Sequence, residues 1–204
     1  MPIMIGVALS ATCGFRVFVP LLAVNIGTRA LDADGQPRIE LAGGFDWLSS
    51  DIALMVFLVA TLFEIGGYYI PWIDNLLDTI ASPASIVAGT VITASFVTGM
   101  DPWLQWLLGV IAGGGAAGAV QITTTVTRGA SSAITGGMGN WAVSTAEGIG
   151  SIFTAVLAIV IPVLVFSLFV LFVGFLVWKN PAKLYRNWRA RKDRLRAPPL
   201  LAAS

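Results

Sequence analysis

The sequence predicts an all-α fold, that of a polytopic helical membrane protein with about five transmembrane helices. Of its 204 residues, 56% are hydrophobic and only 11% are charged, whereas about 25% of an average soluble domain is charged. Several apolar runs approach or exceed the roughly 20 residues that a helix needs to cross a bilayer. A soluble chain of this length could not bury so much apolar surface, so we expect one membrane domain.

Basic residues are concentrated near the end of the sequence. Eight of the twelve Lys and Arg residues follow Trp178, and the positive-inside rule places such a tail in the cytoplasm. We therefore expect a single multi-pass membrane domain over residues 1–178 and a basic cytoplasmic tail over 179–204. The tail favours contact with anionic lipid, and we expect no nucleic-acid partner. The start, "MPIMIGVALS", lacks the basic region of a signal peptide, so we expect the first apolar segment to be retained.

In the first half of the chain, hydrophobicity predicts three segments. The first covers residues 3–26, taken as a straight helix, and carries Arg16 inside it. The second covers 52–70 and ends at Pro71, where a short interfacial helix, "WIDNLLDTIAS", follows. The third covers 83–100, and its small residues favour close packing against other helices.

The second half contains a glycine-rich segment, a polar stretch and a long apolar run. Segment four starts at Trp103 and reaches at least Gln121, and its glycines at four-residue spacing predict a close packing face. The stretch "QITTTVTRGASSAITGGMGNWAVSTAEGIGS" has few charges for a solvated loop and many polar residues for a span. It predicts either a re-entrant or broken helix, or a flexible loop. Residues 147–178 would form a helix of roughly 48 Å, longer than a ~30 Å core, so we expect a break near Pro162.

Arg16 and Glu64 are the charges that this arrangement places deepest in the membrane. In straight helices they would lie ~20 Å and ~18 Å from opposite faces, which leaves ~8 Å between their depths. A lone charge at this depth costs at least ~2.5–3.5 kcal/mol, so we expect the two to form an ion pair. The pair either acts on a substrate or locks two helices together. Tyr68 lies four residues after Glu64 and shares its helix face.

Further polar residues are candidates for binding. Asp74 and Asp78 lie four residues apart and repel each other, which suits a cation or proton site; the alternative is that both face water at the membrane surface. We expect Arg128 and Glu147 near a membrane interface. The stretch "GMGNWAVSTAEG" also supplies neutral groups that could bind an anion or a polar headgroup, namely Asn140, Ser144 and Thr145.

The two halves of the sequence share a loose plan, which we interpret as a weak two-fold internal repeat. Each half has a glycine-containing apolar stretch closed by an arginine, Arg16 or Arg128, and later a glutamate, Glu64 or Glu147. Opposed repeats with interrupted helices are common in secondary transporters. The alternative is chance similarity between two segments rich in small residues.

The sequence contains no His and only one cysteine, Cys13. It therefore lacks the usual imidazole base and proton shuttle, and it cannot form a disulfide within the chain. We expect no metal and no cofactor, and an intramembrane enzyme is the least expected function.

The segments "GFRVFVPLLA" and "FEIGGYYIPWIDNLLDTIASPASIVAGT", with the Gly- and Thr-rich second half, resemble a bacterial family of small integral membrane proteins, the domain of unknown function 4126 family. The resemblance covers about residues 5–178 and implies a multi-pass membrane fold but no particular chemistry. The Arg and Glu residues that each precede a proline are similar, more loosely, to features of DedA-type proteins. That similarity implies re-entrant loops and movement of phospholipids or polyprenyl phosphate.

Two functions follow from these observations. The first is a transporter or lipid translocator for an anionic substrate, either phosphate-bearing or lipid-linked, in the bacterial inner membrane. Arg16 and Arg128 would hold the anion, and Glu64 would couple or gate transport, with proton linkage as one option. The second is a non-transporting scaffold, a homo-oligomer or an accessory subunit of a larger membrane complex.

Overall fold

The computed structural model describes residues 1–31, 34–136 and 138–179, without the side chains of five residues near the start of one helix, which are Pro71, Trp72, Asp74, Asn75 and Asp78. The described chain is helical apart from turns, loops and one isolated bridge between Leu31 and Pro37. The helices are α1 (Pro2–Cys13), α2 (Phe18–Arg29), α3 (Asp51–Gly67), α4 (Pro71–Ser95), α5 (Pro102–Leu108), α6 (Gly115–Thr135), α7 (Asn140–Val160) and α8 (Pro162–Lys179). A 3₁₀ turn, Asp46–Ser49, precedes α3.

The predicted all-α membrane class is confirmed. Helices α5 and α6 are joined by a π-helical segment, Gly109–Gly114, into one continuous helix of 34 residues, Pro102–Thr135. This helix, α7 and α8 are long and apolar enough to cross a membrane. The expectation of about five crossings stays a prediction.

The first apolar segment is broken, which corrects the expectation of a straight helix over residues 3–26. Helix α1 ends at Cys13 and α2 begins at Phe18, and each has 12 residues. Gly14 lies so close to α6 that an added Cβ would be 2.5 Å from the Val120 Cβ. Pro20 lies in the first turn of α2, where a missing N–H costs little. Each helix is roughly 18 Å long, so neither alone spans a ~30 Å core.

Two other boundaries differ from the prediction. The expected interfacial helix and the segment over residues 83–100 form one helix, α4, with Pro83 in its interior. The polar stretch expected to be re-entrant, broken or a loop belongs mostly to α6 and α7. The chain turns between them after Gly136, whose φ of 64° suits a residue without Cβ. The expected break at Pro162 is confirmed, because α7 ends at Val160 and α8 begins at Pro162.

Helix α1 lies against α4, α6 and α7. The Ser10 hydroxyl donates to the Gly89 carbonyl oxygen at 2.7 Å. A Cβ added to Gly113 would lie 2.2 Å from that same oxygen, so α4 and the π-helical segment touch backbone to backbone. The predicted glycine packing face therefore exists, and it is what allows these helices to approach so closely.

The contacts divide the chain into two compact units, Met1–Ser167 and Leu168–Ser204. Of the second unit, the structure describes the end of α8, where Phe175 and Trp178 have ring centres 6.4 Å apart. The Lys179 ammonium lies 5.4 Å from the Phe175 ring centre. The predicted basic tail lies outside the described residues after Lys179, and the division at residue 178 stays a prediction.

Candidate functional site

The helix break between α1 and α2 exposes backbone N–H groups, and Glu64 of α3 binds them. Its Oε1 accepts a hydrogen bond from the Val17 N–H at 2.7 Å, and its Oε2 accepts one from the Phe18 N–H at 3.0 Å. The side chain of Glu64 is buried. The N-terminus of a helix carries unpaired N–H groups and partial positive charge, so Glu64 is a bound anion supplied by the protein itself.

Arg16 lies within the same break and is almost completely buried, with 2% exposure. Its Nη2 donates to the Ser144 carbonyl oxygen on α7 at 2.7 Å. Its guanidinium carbon lies 3.8 Å from the centre of the Tyr68 ring. Its Nε and Nη1 are buried and have no hydrogen-bond partner among the described residues. Arg16 is therefore a buried cation with unused donors.

The predicted direct ion pair between Arg16 and Glu64 does not form between these described residues, although the two side chains are near enough to attract each other. Each oxygen of Glu64 accepts from a backbone N–H group at the start of α2, whereas the described side-chain hydrogen bond of Arg16 goes to α7. The expectation assumed an unbroken helix. The break instead presents N–H groups to Glu64, and the carboxylate bonds to these.

The second pair of charges, Arg128 of α6 and Glu147 of α7, does form an ion pair. The Arg128 Nε lies 3.1 and 3.3 Å from the two carboxylate oxygens, and its Nη2 also bonds to Glu147. Both residues are buried inside the protein, and their expected position near a membrane interface stays a prediction. The pairing was missed from the sequence. Arg128 lies seven residues before the end of α6 at Thr135 and Glu147 seven residues after the start of α7 at Asn140, so the two meet in a helical hairpin.

Tyr68 and Ser144 connect the two arginines. The centre of the Tyr68 ring lies 3.8 Å from the Arg16 guanidinium carbon and 4.3 Å from that of Arg128. Ser144 accepts from Arg16 through its carbonyl oxygen and from the Arg128 Nη2 through its hydroxyl, at 2.7 and 3.0 Å. Aromatic faces attract cations most strongly when water is excluded. These residues, with Glu64 and Glu147, form the buried cluster.

Two other predicted candidates, Asn140 and Thr145, form their described side-chain hydrogen bonds outside this cluster. Asn140 exchanges hydrogen bonds with Ser132 near the turn between α6 and α7. The hydroxyl of Thr145 lies 2.9 Å from that of Tyr69. Asp74 and Asp78 belong to α4, but their side chains are outside the description, so the cation or proton site stays a prediction.

An open groove of about 630 Å³ approaches the cluster from the side. Glu64 is the one charged side chain among its described lining residues, and the rest of that lining is apolar or glycine. The groove is lined by Phe18, Ala60, Leu62, Phe63, Glu64, Gly66, Gly67, Ile70, Ile73 and Leu77. Glu64 therefore lines this groove and also bonds to the backbone that directly follows Arg16.

Long apolar helices together with a buried charge cluster define a helical membrane protein with charged residues in its interior. A family model described as Domain of unknown function (DUF4126) matches residues 3–181, and the chain belongs to that family. This confirms the resemblance found in the sequence, whereas the similarity to DedA-type proteins stays untested. No curated protein and no solved structure matches the chain.

Proposed function

We propose that the protein is a transporter or lipid translocator for an anionic, phosphate-bearing substrate, and that Arg16 is its binding cation. The observation that carries this proposal is the burial of Arg16 with Nε and Nη1 unpaired. Leaving a buried donor unsatisfied costs about 1–3 kcal/mol, and more for a charged group. A phosphate would lower that cost, because its oxygens accept strong, charge-assisted hydrogen bonds from guanidinium N–H groups.

Glu64 is the gating carboxylate in this proposal. It bonds to the N–H groups of Val17 and Phe18, which would otherwise bind an incoming anion together with Arg16. Substrate and Glu64 therefore compete for the same donors. A proton taken up by Glu64 would remove the charge that holds it there, which would couple proton and anion movement.

The apolar groove beside Glu64 favours a substrate with a hydrocarbon part. Its lining would accept a lipid chain while the phosphate moves past Glu64 towards Arg16. A lipid-linked phosphate therefore fits this geometry better than a free one. We place the protein in the bacterial inner membrane with the basic tail in the cytoplasm, where the tail would contact anionic lipid.

Transport in proteoliposomes tests the proposal. The full-length protein is reconstituted, and transbilayer movement of a headgroup-labelled anionic phospholipid is followed by dithionite quenching, with uptake of radiolabelled inorganic phosphate in parallel. We expect activity above protein-free vesicles in at least one assay, loss of it in Arg16→Gln, and wild-type activity in Lys179→Gln, which removes a cation elsewhere. Wild-type protein without activity in either assay, or an active Arg16→Gln variant, would contradict the proposal.

The second candidate function is a scaffold or an accessory subunit of a larger complex. The observation that favours it is the apolar surface of α3, where Ile52 and Phe63 are 78% and 75% exposed. Lipid or another protein could cover this face. Purification from native membranes in mild detergent, with measurement of the mass of the assembly, separates the two functions. A fixed partner, together with inactive proteoliposomes, would favour the scaffold.

A further inference from the structure

We infer a second lipid site, independent of the proposed transport function, in the groove between α2 and α7. It binds an anionic glycerophospholipid, with an acyl chain in the groove and the phosphate at Arg38. The site differs from the buried cluster in its cation, and a separate groove leads to it.

The groove has a volume of about 380 Å³. Gly27 and Ala155 are buried at its floor, and the walls are exposed apolar side chains. Those wall residues are Ile26, Ile152, Val156 and Val160. Its lining on α2 runs from Val19 to Ala30, which is roughly 16 Å of helix. Small residues below and branched residues at the sides form a channel that suits one extended hydrocarbon chain.

Two contacts hold Arg38 at one end of this groove: a hydrogen bond of its own backbone and the packing of the next residue, Ile39. The Arg38 N–H donates to the Ala30 carbonyl oxygen at the end of α2, at 2.8 Å. Ile39 is buried, and its Cδ1 would lie 2.3 Å from a Cβ added to Gly27. Because Gly27 has no side chain, Ile39 packs directly onto α2. This contact fixes the backbone position from which the Arg38 side chain extends.

The positive charge of Arg38 indicates that the lipid in this groove is anionic. Its side chain is exposed, and within the described part of the chain no hydrogen bond or ion pair involves its guanidinium. Arg38 also lines a second hollow, which it shares with Glu40, but the two form no ion pair in the described structure. By contrast, Arg29 at the end of α2 bonds to Asp51 at 2.7 Å. A guanidinium at the end of an apolar channel matches a phosphate joined to an acyl chain.

Lipid retention measured by mass spectrometry tests this site. The purified full-length protein is exposed to equal amounts of phosphatidylglycerol and phosphatidylcholine with identical chains, then washed at physiological salt, because high salt would also screen the exposed Arg38. One basic residue near a lipid headgroup contributes about 1 kcal/mol, which corresponds to about fivefold in retention. We therefore expect wild type to prefer phosphatidylglycerol, and Arg38→Gln to lower this preference about fivefold, since the basic tail and Arg16 are the same in both proteins.

Two variants fill the groove without touching Arg38. Ala23→Leu adds bulk from α2, and Val156→Trp adds it from the exposed wall on α7. Both should lose the retained lipid, while Ala119→Leu, a substitution of the same size outside the groove, should retain it. Wild-type preference in Arg38→Gln would overturn the proposal. Full lipid retention in both filled variants would also overturn it. A change in the oligomeric mass of these variants without a change in retained lipid would overturn it too, because the groove would then be a contact between copies of the protein.

Discussion

Two buried arginines lie against one tyrosine, yet their surroundings differ. Arg128 bonds to the Glu147 carboxylate and to the Ser144 hydroxyl. Arg16 donates one hydrogen bond to a carbonyl oxygen and leaves two nitrogens without a partner among the described residues. We interpret Arg128 as the structural cation of the cluster and Arg16 as the cation that meets a ligand.

At the residue scale, this difference predicts that Arg128→Gln strongly destabilises the fold. The variant leaves Glu147 buried without its partner, and breaking a buried ion pair from one side costs about 3–5 kcal/mol. Chemical unfolding in detergent measures the loss. The double variant Arg128→Gln, Glu147→Gln should recover part of it, because residue 147 then no longer carries a buried charge without its partner. A single variant as stable as wild type would show that the pair does not hold α6 to α7.

At the element scale, local sequence predicted some helices and missed others. The break at Pro162 was predictable because proline and excess length act together there. The break at Arg16 was not, since it depends on Gly14 packing against α6, a contact far away in sequence. Helix α4 continues through Pro83, although the sequence suggested a boundary. Neighbouring helices and side chains can satisfy the backbone groups that proline frees in a membrane.

The prediction at the element scale concerns the close crossing of α4 with the π-helical segment. Gly113→Ala should destabilise the protein by about 1–3 kcal/mol, the usual cost of overpacking. Its Cβ would lie 2.2 Å from the Gly89 oxygen and 2.5 Å from the Thr93 hydroxyl, and the backbone at Gly89 cannot give way cheaply.

Gly115→Ala is the matched control for this crossing. Nothing lies within 4 Å of a Cβ at Gly115, so the change should be neutral or stabilise the helix by up to about 1 kcal/mol. Thermal unfolding of both variants in the same detergent compares them. Equal stability of the two variants would mean that the close glycine contact contributes nothing.

For the whole molecule, composition was enough to predict the class of protein, and charge at membrane depth was enough to predict Arg16 and Glu64 as members of the site. The partners of these charges were not predictable, because they depend on which backbone groups a break leaves open and on how hairpins align. Tyr68 was predicted as a neighbour of Glu64, but its contact with both arginines required the tertiary fold. Ser144 was one of several neutral candidates, and only the fold distinguishes it.

For the whole molecule, we interpret Arg16 as a cation retained for ligand binding at some expense of stability. Replacing it by glutamine removes a buried charge with unpaired donors, which favours the fold, and also removes one hydrogen bond and the contact with the Tyr68 ring, which opposes it. Because these effects offset each other, the stability of the fold should change by no more than about 1 kcal/mol. Arg128→Gln is the contrasting variant. A ligand that binds only the folded state adds stability in proportion to its affinity, so the same experiment reports binding.

The most direct measurement is therefore thermal unfolding of wild type, Arg16→Gln and Arg128→Gln in detergent, with short-chain phosphatidic acid and with short-chain phosphatidylcholine as the control lipid. We expect phosphatidic acid to raise the Tm of wild type. Arg16→Gln should unfold near the wild-type temperature but show a smaller rise, because only the inferred site at Arg38 remains. Arg128→Gln should unfold much earlier. An Arg16→Gln variant that is as unstable as Arg128→Gln, or that keeps the full rise with phosphatidic acid, would contradict this interpretation.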